Sequence, residues 1–240
     1  MMIRTVVSCI LMVAYMLLVT PLGILGFLLS LVGLRRAMSH AMYRIAQGWG
    51  VYMLTVLGCK VTVLGRENIP RKGGICFVSN HSGFIDIFLL LKYSGRPFGF
   101  VAKRELMLAP IINMWISILG GLFIDRKNIR KALKTINKGV ARIKAGGAML
   151  IFPEGHRSRG QGLLPFHPGS LKLATQSEAI IVPVAITGSH DVFEKNYRVK
   201  PGPLRIVFCP PINTADIPAT DRKVALSDQI YGVIKAALEN

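Results

Sequence analysis

Acidic side chains are scarce in this chain of 240 residues, where 12 Asp and Glu stand against 30 Lys and Arg and leave a net charge of +18. Half of the residues, 51%, are apolar. A chain that is both basic and apolar is expected to meet anions at a membrane surface. We predict no nucleic-acid partner, because no nucleic-acid-binding module is recognisable and such a protein has no use for a long apolar N-terminus.

Several chemical signatures are also missing. The four cysteines lie far apart and form no C-x-x-C pair, which favours reduced thiols over a disulfide framework or a redox site. The serine-hydrolase motif G-x-S-x-G does not occur. Neither a cluster of metal ligands nor a glycine-rich nucleotide loop is visible. The sequence therefore predicts no bound metal and no resident cofactor.

Charge is absent from residues 5–34. As a helix, a run of this length would extend about 45 Å, more than the roughly 30 Å of a bilayer's hydrocarbon core. It is too long for the apolar region of a signal peptide and has no cleavage site. We predict a transmembrane or deeply embedded helix, with a kink or re-entrant bend at Pro21, Gly23 and Gly26.

A second helix is predicted at about 38–58. Its apolar residues recur at helical spacing and are Met42, Ile45, Trp49, Met53 and Val56. Such a helix could lie in the membrane interface or pack back on the first helix. If the first helix spans, then Arg35, Arg36 and Arg44 favour a cytoplasmic location for the rest of the chain. We predict a membrane-embedded helical segment at 1–58 and a second domain at 59–240.

The rest of the chain alternates short apolar runs with helical ones, which predicts an α/β domain with a mixed, mostly parallel sheet flanked by helices. The predicted strands are 60–64, 74–78, 97–102, 121–124, 147–152, 180–186 and 203–208. The predicted helices are 84–93, 110–119, 128–145, 168–178 and 222–238. Every charge from Arg126 to Lys144 is positive. This face is either an ordinary solvated one or a surface for a membrane or an acidic partner.

The stretch SNHSGFIDIF places His81 and Asp86 five residues apart at a strand-to-helix junction. The two side chains can meet only if the chain turns between them, and Ser82 and Gly83 suit such a turn. A carboxylate on one ring nitrogen would fix the histidine tautomer and leave the other nitrogen as a base.

Other polar residues follow three further predicted strands and are Lys103, Arg126, Glu154 and Arg157. Strand ends of an open α/β sheet gather ligand sites. Arginine suits phosphate oxygens, which its forked guanidinium can contact in pairs.

The blocks NHSGFID, GGLFIDR, FPEGHRS and IVPVAI, in this order, resemble those of the glycerolipid acyltransferases. The resemblance covers about 75–210 and is closest to the bacterial 1-acylglycerol-3-phosphate acyltransferases. It implies that His81 is the general base and that Asp86 orients it. The residues implied to hold the substrate phosphate are Lys103, Arg126, Glu154, Gly155 and Arg157, and Pro183 is implied to shape the acyl-binding wall. The family usually has threonine where this chain has His156.

The implied reaction moves a fatty acyl group from a thioester to the sn-2 hydroxyl of 1-acylglycerol-3-phosphate and gives phosphatidic acid. The thioester would be carried by acyl-carrier protein or coenzyme A. The implied location is the inner membrane, with the catalytic domain at 59–240 on the cytoplasmic face. Two alternatives stay open: an acyltransferase for another lyso-lipid, for which His156 is the reason, and a non-catalytic basic protein that binds acidic lipids.

Overall fold

The computed structural model describes residues 2–167, 169–217 and 225–239. Two long helices come first, α1 (Met2–Leu29) and α2 (Arg35–Leu57), and a turn at Ser30–Leu34 joins them. The reversal falls at Gly33, whose φ of 92° lies in the left-handed region that glycine adopts at little cost. The bend is therefore later than predicted, because α1 continues through Pro21 as a helix.

The glycines of α1 are points of close packing. A Cβ added to Gly23 would lie 2.9 Å from Trp115, and one added to Gly26 would lie 2.6 Å from the sulfur of Met42. These two positions let α1 approach the neighbouring helices more closely than a larger residue would permit. The predicted interruption of the helix is thus replaced by a contact surface.

The outer side of α1 is apolar and exposed. The helical segment Met2–Leu34, 33 residues with a mean hydropathy of 2.3, is long and apolar enough to cross a membrane by length and composition, and it is the one such segment among the described residues. Only 11% of its most apolar window is buried, which is unlike the core helix of a soluble protein.

The second helix packs against the domain that follows it. Tyr43, Met53 and Leu54 of α2 are buried in one apolar cluster with residues of the sheet. The hydroxyl of Tyr43 lies 2.6 Å from that of Ser94. Because α2 shares its core with the domain, the predicted division between 58 and 59 runs through continuous packing, and that boundary stays a prediction.

Within the described residues, eight strands form a mixed sheet in the order β1-β7-β6-β2-β5-β3-β4, and β8 pairs with β6. They are β1 (Lys60–Leu64), β2 (Ile75–Ser79), β3 (Phe98–Lys103), β4 (Leu122–Ile124), β5 (Ala148–Ile151), β6 (Ile180–Thr187), β7 (Pro203–Phe208) and β8 (Ile212–Asn213). Only the pairings of β6 with β7 and with β8 are antiparallel. The predicted fold class is confirmed, and each of the seven predicted strands matches within one residue at both ends.

Helices cover both faces of the sheet and are α3 (Asp86–Tyr93), α4 (Pro110–Ile118), α5 (Ile129–Lys144), α6 (Lys172–Ser177), α7 (Ser189–Val192) and α8 (Ala225–Glu239). One apolar cluster joins α2 and α3 to the sheet, and a second joins α5, α6 and α8 to the opposite face. Alternate residues of β2 supply the two clusters, Phe77 one and Val78 the other.

One helix prediction needs correction, and part of another lies outside the described residues. The helix predicted at 168–178 is confined to Lys172–Ser177, because Gly169 has a φ of 79° and the chain bends there. The helix predicted at 222–238 is Ala225–Glu239, and its first three predicted residues, like Pro168, lie outside the described residues.

Candidate active site

The candidate residues gather at one edge of the sheet. The parallel strands β2, β3, β4 and β5 all end there, at Ser79, Lys103, Ile124 and Ile151. The loops that follow these strands carry His81, Arg126, Glu154 and Arg157. This edge is where open α/β sheets place ligands.

His81 and Asp86 form a hydrogen-bonded pair. Nδ1 of the imidazole lies 2.8 Å from Oδ2 of the carboxylate, and the His81 side chain is 19% exposed while that of Asp86 is fully buried. An ionised carboxylate only accepts hydrogen bonds, so Nδ1 carries the proton in the neutral imidazole. Nε2 is then the unprotonated nitrogen, and it can act as a base.

Asp86 also organises the turn between the two residues. The same Oδ2 accepts hydrogen bonds from the backbone N–H of Ser82 at 2.8 Å and of Gly83 at 3.0 Å. The other oxygen, Oδ1, is buried without a hydrogen-bond partner among the described residues. One carboxylate oxygen therefore fixes both the imidazole and the backbone that carries it.

The loop after β5 holds His81 from the other side. The imidazole stacks on the ring of Phe152, with 4.0 Å between centroids and 16° between planes. The backbone N–H of His81 donates to Oε1 of Glu154 at 2.6 Å, and the His81 carbonyl accepts from the N–H of Ser158 at 2.7 Å. The histidine is thus fixed by its ring and by its backbone.

Glu154 is fully buried, and its second oxygen accepts from the backbone N–H of Leu164 at 3.0 Å. Burial raises the pKa of this carboxyl, although its two backbone hydrogen bonds oppose the shift. The Glu154 carboxylate therefore joins the loop that carries His81 to the loop after β5. The resemblance did not assign this structural role.

Two arginines reach the same edge by different means. Nη1 of Arg126 donates to the carbonyl of Gly155. Gly155 has a φ of 74°, and a Cβ there would lie 2.5 Å from the ring of His167. Glycine is therefore required at this position by backbone conformation and by space. Arg157, whose side chain is 41% exposed, donates from Nη1 to Oε1 of Glu194 at 2.8 Å.

The remaining candidates lie at the margin of this group. Lys103 is the exposed last residue of β3. His156 is exposed, and its Nδ1 lies 3.0 Å from the carbonyl of Glu154. Pro183 is buried inside β6, in register with Val78, so the structure places it in the sheet beneath the histidine loop.

Two contacts at the site had no signal strong enough to be predicted from sequence. The side-chain amide of Asn80 bonds both backbone groups of Ile186 on β6, with distances of 2.9 and 2.8 Å. Its place beside His81 was the single available clue. Glu194 accepts a hydrogen bond from the backbone N–H of Phe84, which lies 110 residues earlier in the chain. No local pattern in the sequence indicates this contact.

A small apolar cavity of about 30 Å³ lies between α1, α2 and α4. Its walls include Trp49 and Trp115. Trp49 packs edge-on against Phe88, and Phe88 packs edge-on against Phe84 in the turn before Asp86. A continuous row of aromatic rings therefore connects the cavity to the histidine loop.

Similarity to known proteins identifies the family of this chain. The Acyltransferase family model matches residues 60–187, more than half of the chain, and the chain therefore belongs to the acyltransferase family. The 1-acyl-sn-glycerol-3-phosphate acyltransferase of Borreliella burgdorferi is 33% identical over 143 residues, which are 60% of this chain and 57% of that protein. The protein of the same name from Limnanthes douglasii is 33% identical over 186 residues, 76% of this chain and 66% of its own length.

This chain thus spans 57% and 66% of the lengths of these two relatives. The crystal structure of the 1-acyl-sn-glycerophosphate (LPA) acyltransferase PlsC from Thermotoga maritima is similar in fold, with a TM-score of 0.79 and 24% sequence identity. The similarity covers 98% of this chain and 96% of that one, so the two N-terminal helices are part of the shared architecture.

Proposed function

We propose that this protein transfers a fatty acyl group from a thioester to the sn-2 hydroxyl of 1-acylglycerol-3-phosphate, which gives phosphatidic acid. The observation that carries the proposal is the His81–Asp86 pair, held at 2.8 Å at an edge that also bears Arg126 and Arg157. The relatives named for this activity support it.

In the proposed reaction, Nε2 of His81 takes the hydroxyl proton while the hydroxyl oxygen attacks the thioester carbonyl carbon. The tetrahedral intermediate then collapses and the carbon–sulfur bond breaks. The imidazolium returns the proton to the leaving thiolate, so the base is regenerated and a free thiol is released. Asp86 stabilises the transient positive charge of the imidazolium. A thioester is already activated, and no covalent enzyme intermediate is needed.

The acceptor is proposed to bind through its phosphate. Arg126 donates to the carbonyl of Gly155, Arg157 follows two residues later in the same loop, and both offer guanidinium donors that can pair with phosphate oxygens. Lys103 would add a third positive charge. The fatty chain is proposed to lie against the exposed apolar side chains that follow Lys103, which are Leu106, Met107 and Leu108.

The protein is proposed to act at the inner membrane with its site on the cytoplasmic side. The exposed apolar surface of α1 supports membrane attachment, and the arginines after it support this orientation. The donor is acyl-carrier protein or acyl-coenzyme A. Both are acidic, and both suit the exposed basic residues of α5 and its approach, which are Lys127, Arg130, Lys131, Lys134 and Lys138.

The test is an assay of purified protein in detergent with lysophosphatidic acid and each donor. Wild type should form phosphatidic acid, and His81→Ala should reduce turnover by about 10²–10⁴-fold, the usual worth of a general base. An inactive wild type with both donors, or a His81→Ala protein with near-native turnover, would reject the proposal. Lipid binding without turnover would instead support the non-catalytic alternative.

His156 favours a second candidate within the same chemistry, an acceptor other than lysophosphatidic acid. Its imidazole is exposed next to Arg157, where it can contact a headgroup. A comparison of lysophosphatidic acid with lyso-lipids that carry a further headgroup decides between them. Wild type should prefer the free phosphate monoester, and Arg157→Ala should remove most of that preference. Arg157→Lys keeps the positive charge but loses the forked guanidinium, so it should not restore the preference for the phosphate monoester.

A further inference from the structure

Glu194 links the two halves of the proposed site. Its Oε1 accepts a hydrogen bond from the backbone N–H of Phe84 at 2.6 Å, inside the turn between His81 and Asp86. The same oxygen accepts from Nη1 of Arg157 at 2.8 Å. A single atom therefore bonds the turn that carries the base and the side chain proposed to bind phosphate.

The Glu194 side chain is only 9% exposed. Residues of its own segment pack closely against the turn. A Cβ added to Gly83 would lie 2.8 Å from Oε2 of Glu194 and 3.0 Å from the backbone of Ser189. The hydroxyls of Ser82 and Ser189 lie 2.6 Å apart. Ser189 and Glu194 thus pack directly against the turn between His81 and Asp86.

These contacts close a ring through the site. The backbone of Ser158 donates to the carbonyl of His81 at 2.7 Å, so the loop that carries Arg157 is joined to the histidine through its backbone. The Arg157 side chain returns to the same turn through Glu194 and Phe84. Two separate connections fix the distance between the guanidinium and the imidazole.

We infer that Glu194 is a positioning residue that sets Arg157 relative to His81 for acyl transfer, an inference that rests on the proposed function. A guanidinium has five N–H donors, so one bond to Glu194 leaves others for phosphate. Bonds to an ionised carboxylate are the stronger kind and limit the movement of the arginine. A phosphate bound there would hold its hydroxyl at a set distance from Nε2 of His81.

The inference predicts an unusual division between kinetic constants. Glu194→Gln keeps the size of the side chain and removes its charge, so Arg157 is less firmly held but is no longer partly neutralised. Phosphate attraction is not weakened, and the acceptor KM should stay the same or fall. Alignment is lost, and kcat should fall about 10–100-fold, since a misplacement of 1 Å can cost about 10²-fold.

The matched control is Asp191→Asn, which removes one negative charge from the same segment. The Asp191 carboxylate is 63% exposed. Its ion pairs are with Lys195 at 2.9 Å and His190 at 3.9 Å, and not with the turn. This variant should keep kcat within about twofold of wild type. Thermal unfolding of both variants shows whether a loss of kcat comes from a loss of folded protein.

The double variant Glu194→Gln/Arg157→Ala tests whether the two residues act together. If Glu194 works through Arg157, the combined loss of kcat/KM should be well below the product of the two single losses. Glu194→Asp keeps the charge but is one methylene shorter, so it should also lower kcat. It replaces Glu194→Gln in the comparison if the latter is unfolded at the assay temperature.

The outcomes separate the inference from the proposed function. A lowered kcat with an unchanged KM, together with a non-additive double variant, supports the positioning role. An active wild type whose Glu194 variants keep kcat within about threefold, or lose it additively with Arg157→Ala, overturns the inference and leaves the proposed function standing. A folded wild type that does not acylate lysophosphatidic acid with either donor overturns both.

Discussion

Replacement of Asp86 by asparagine isolates the charge of the carboxylate from its geometry. The amide oxygen can take the place of Oδ2 and keep the bonds to the N–H groups of Ser82 and Gly83 and to Nδ1 of His81. The amide nitrogen then takes the place of Oδ1, which is buried without a partner among the described residues. The shape of the turn is preserved while the negative charge beside the imidazole is removed.

The size of the effect follows from the charge that develops in the reaction. In the proposed reaction the imidazole is neutral before it takes the hydroxyl proton and positive afterwards, so the carboxylate stabilises mainly the later state. Opposite charges about 4 Å apart attract by about 4 kcal/mol at an effective dielectric constant of about 20. About 1.36 kcal/mol corresponds to a tenfold change in rate, so the loss reaches about 10³-fold. We expect kcat to fall about 10²–10³-fold, with little change in either KM.

The free energy of unfolding should fall by somewhat less than the transition-state stabilisation that is lost. A buried amide nitrogen without a partner costs about 1–3 kcal/mol. In a chain of this size each kcal/mol lowers Tm by about 2–4 °C. The assay is therefore steady-state acyl transfer at 25 °C, with thermal unfolding recorded on the same preparations. Asp216→Asn is the control, because it removes an exposed carboxylate whose hydrogen bond is to the side chain of Asn213.

A folded Asp86→Asn protein with kcat within about fivefold of wild type would refute the reasoning. So would a defect confined to the acceptor KM, since that would place Asp86 in substrate binding and not in stabilisation of the imidazolium.

Three further predictions concern attachment and stability. The protein should stay with membranes through high-salt and carbonate washes, because burial of the apolar surface of Met2–Leu34 is not screened by salt. Release by salt alone would show that the attachment is electrostatic and that the helix is not embedded. The raised pKa of Glu154 means that folding favours its protonated form. Its contribution to the free energy of unfolding is therefore fully present below the ordinary pKa of 4.5 and is lost as pH rises through the raised pKa. Glu154→Gln cannot ionise and does not lose stability in this way. Denaturant unfolding should therefore show the stability of Glu154→Gln relative to wild type increasing with pH above about 4.5. Equal pH dependence of the free energy of unfolding in the two proteins would contradict the raised pKa of Glu154. Arg96 donates to the carbonyls of Pro70, Gly73 and Gly146, and Arg96→Ala should lower the free energy of unfolding by about 1.5–3 kcal/mol, whereas an unchanged denaturation midpoint would show that these loops do not depend on it.

The sequence by itself determined the parts of this protein that depend on local pattern. Apolar runs of strand length and amphipathic runs of helix length gave seven strands within one residue of their observed ends. The meeting of His81 with Asp86 followed from a turn at Ser82 and Gly83, because residues five apart cannot converge on a straight strand or a regular helix. The convergence of other strand-end residues followed from the rule that parallel strands end at a common edge.

Only the tertiary structure decided which groups these residues touch. Glu154 belongs to a block that the resemblance assigned to phosphate, yet its buried carboxylate meets the backbone N–H of His81, 73 residues away. Glu194 reaches Phe84 across 110 residues, and Asn80 reaches Ile186 across 106. The reversal of β7, the packing of α2 on α3 and the contact role of the glycines in α1 were hidden in the same way. Such contacts form between segments that are neighbours only after the sheet has assembled, and no local periodicity or spacing encodes them.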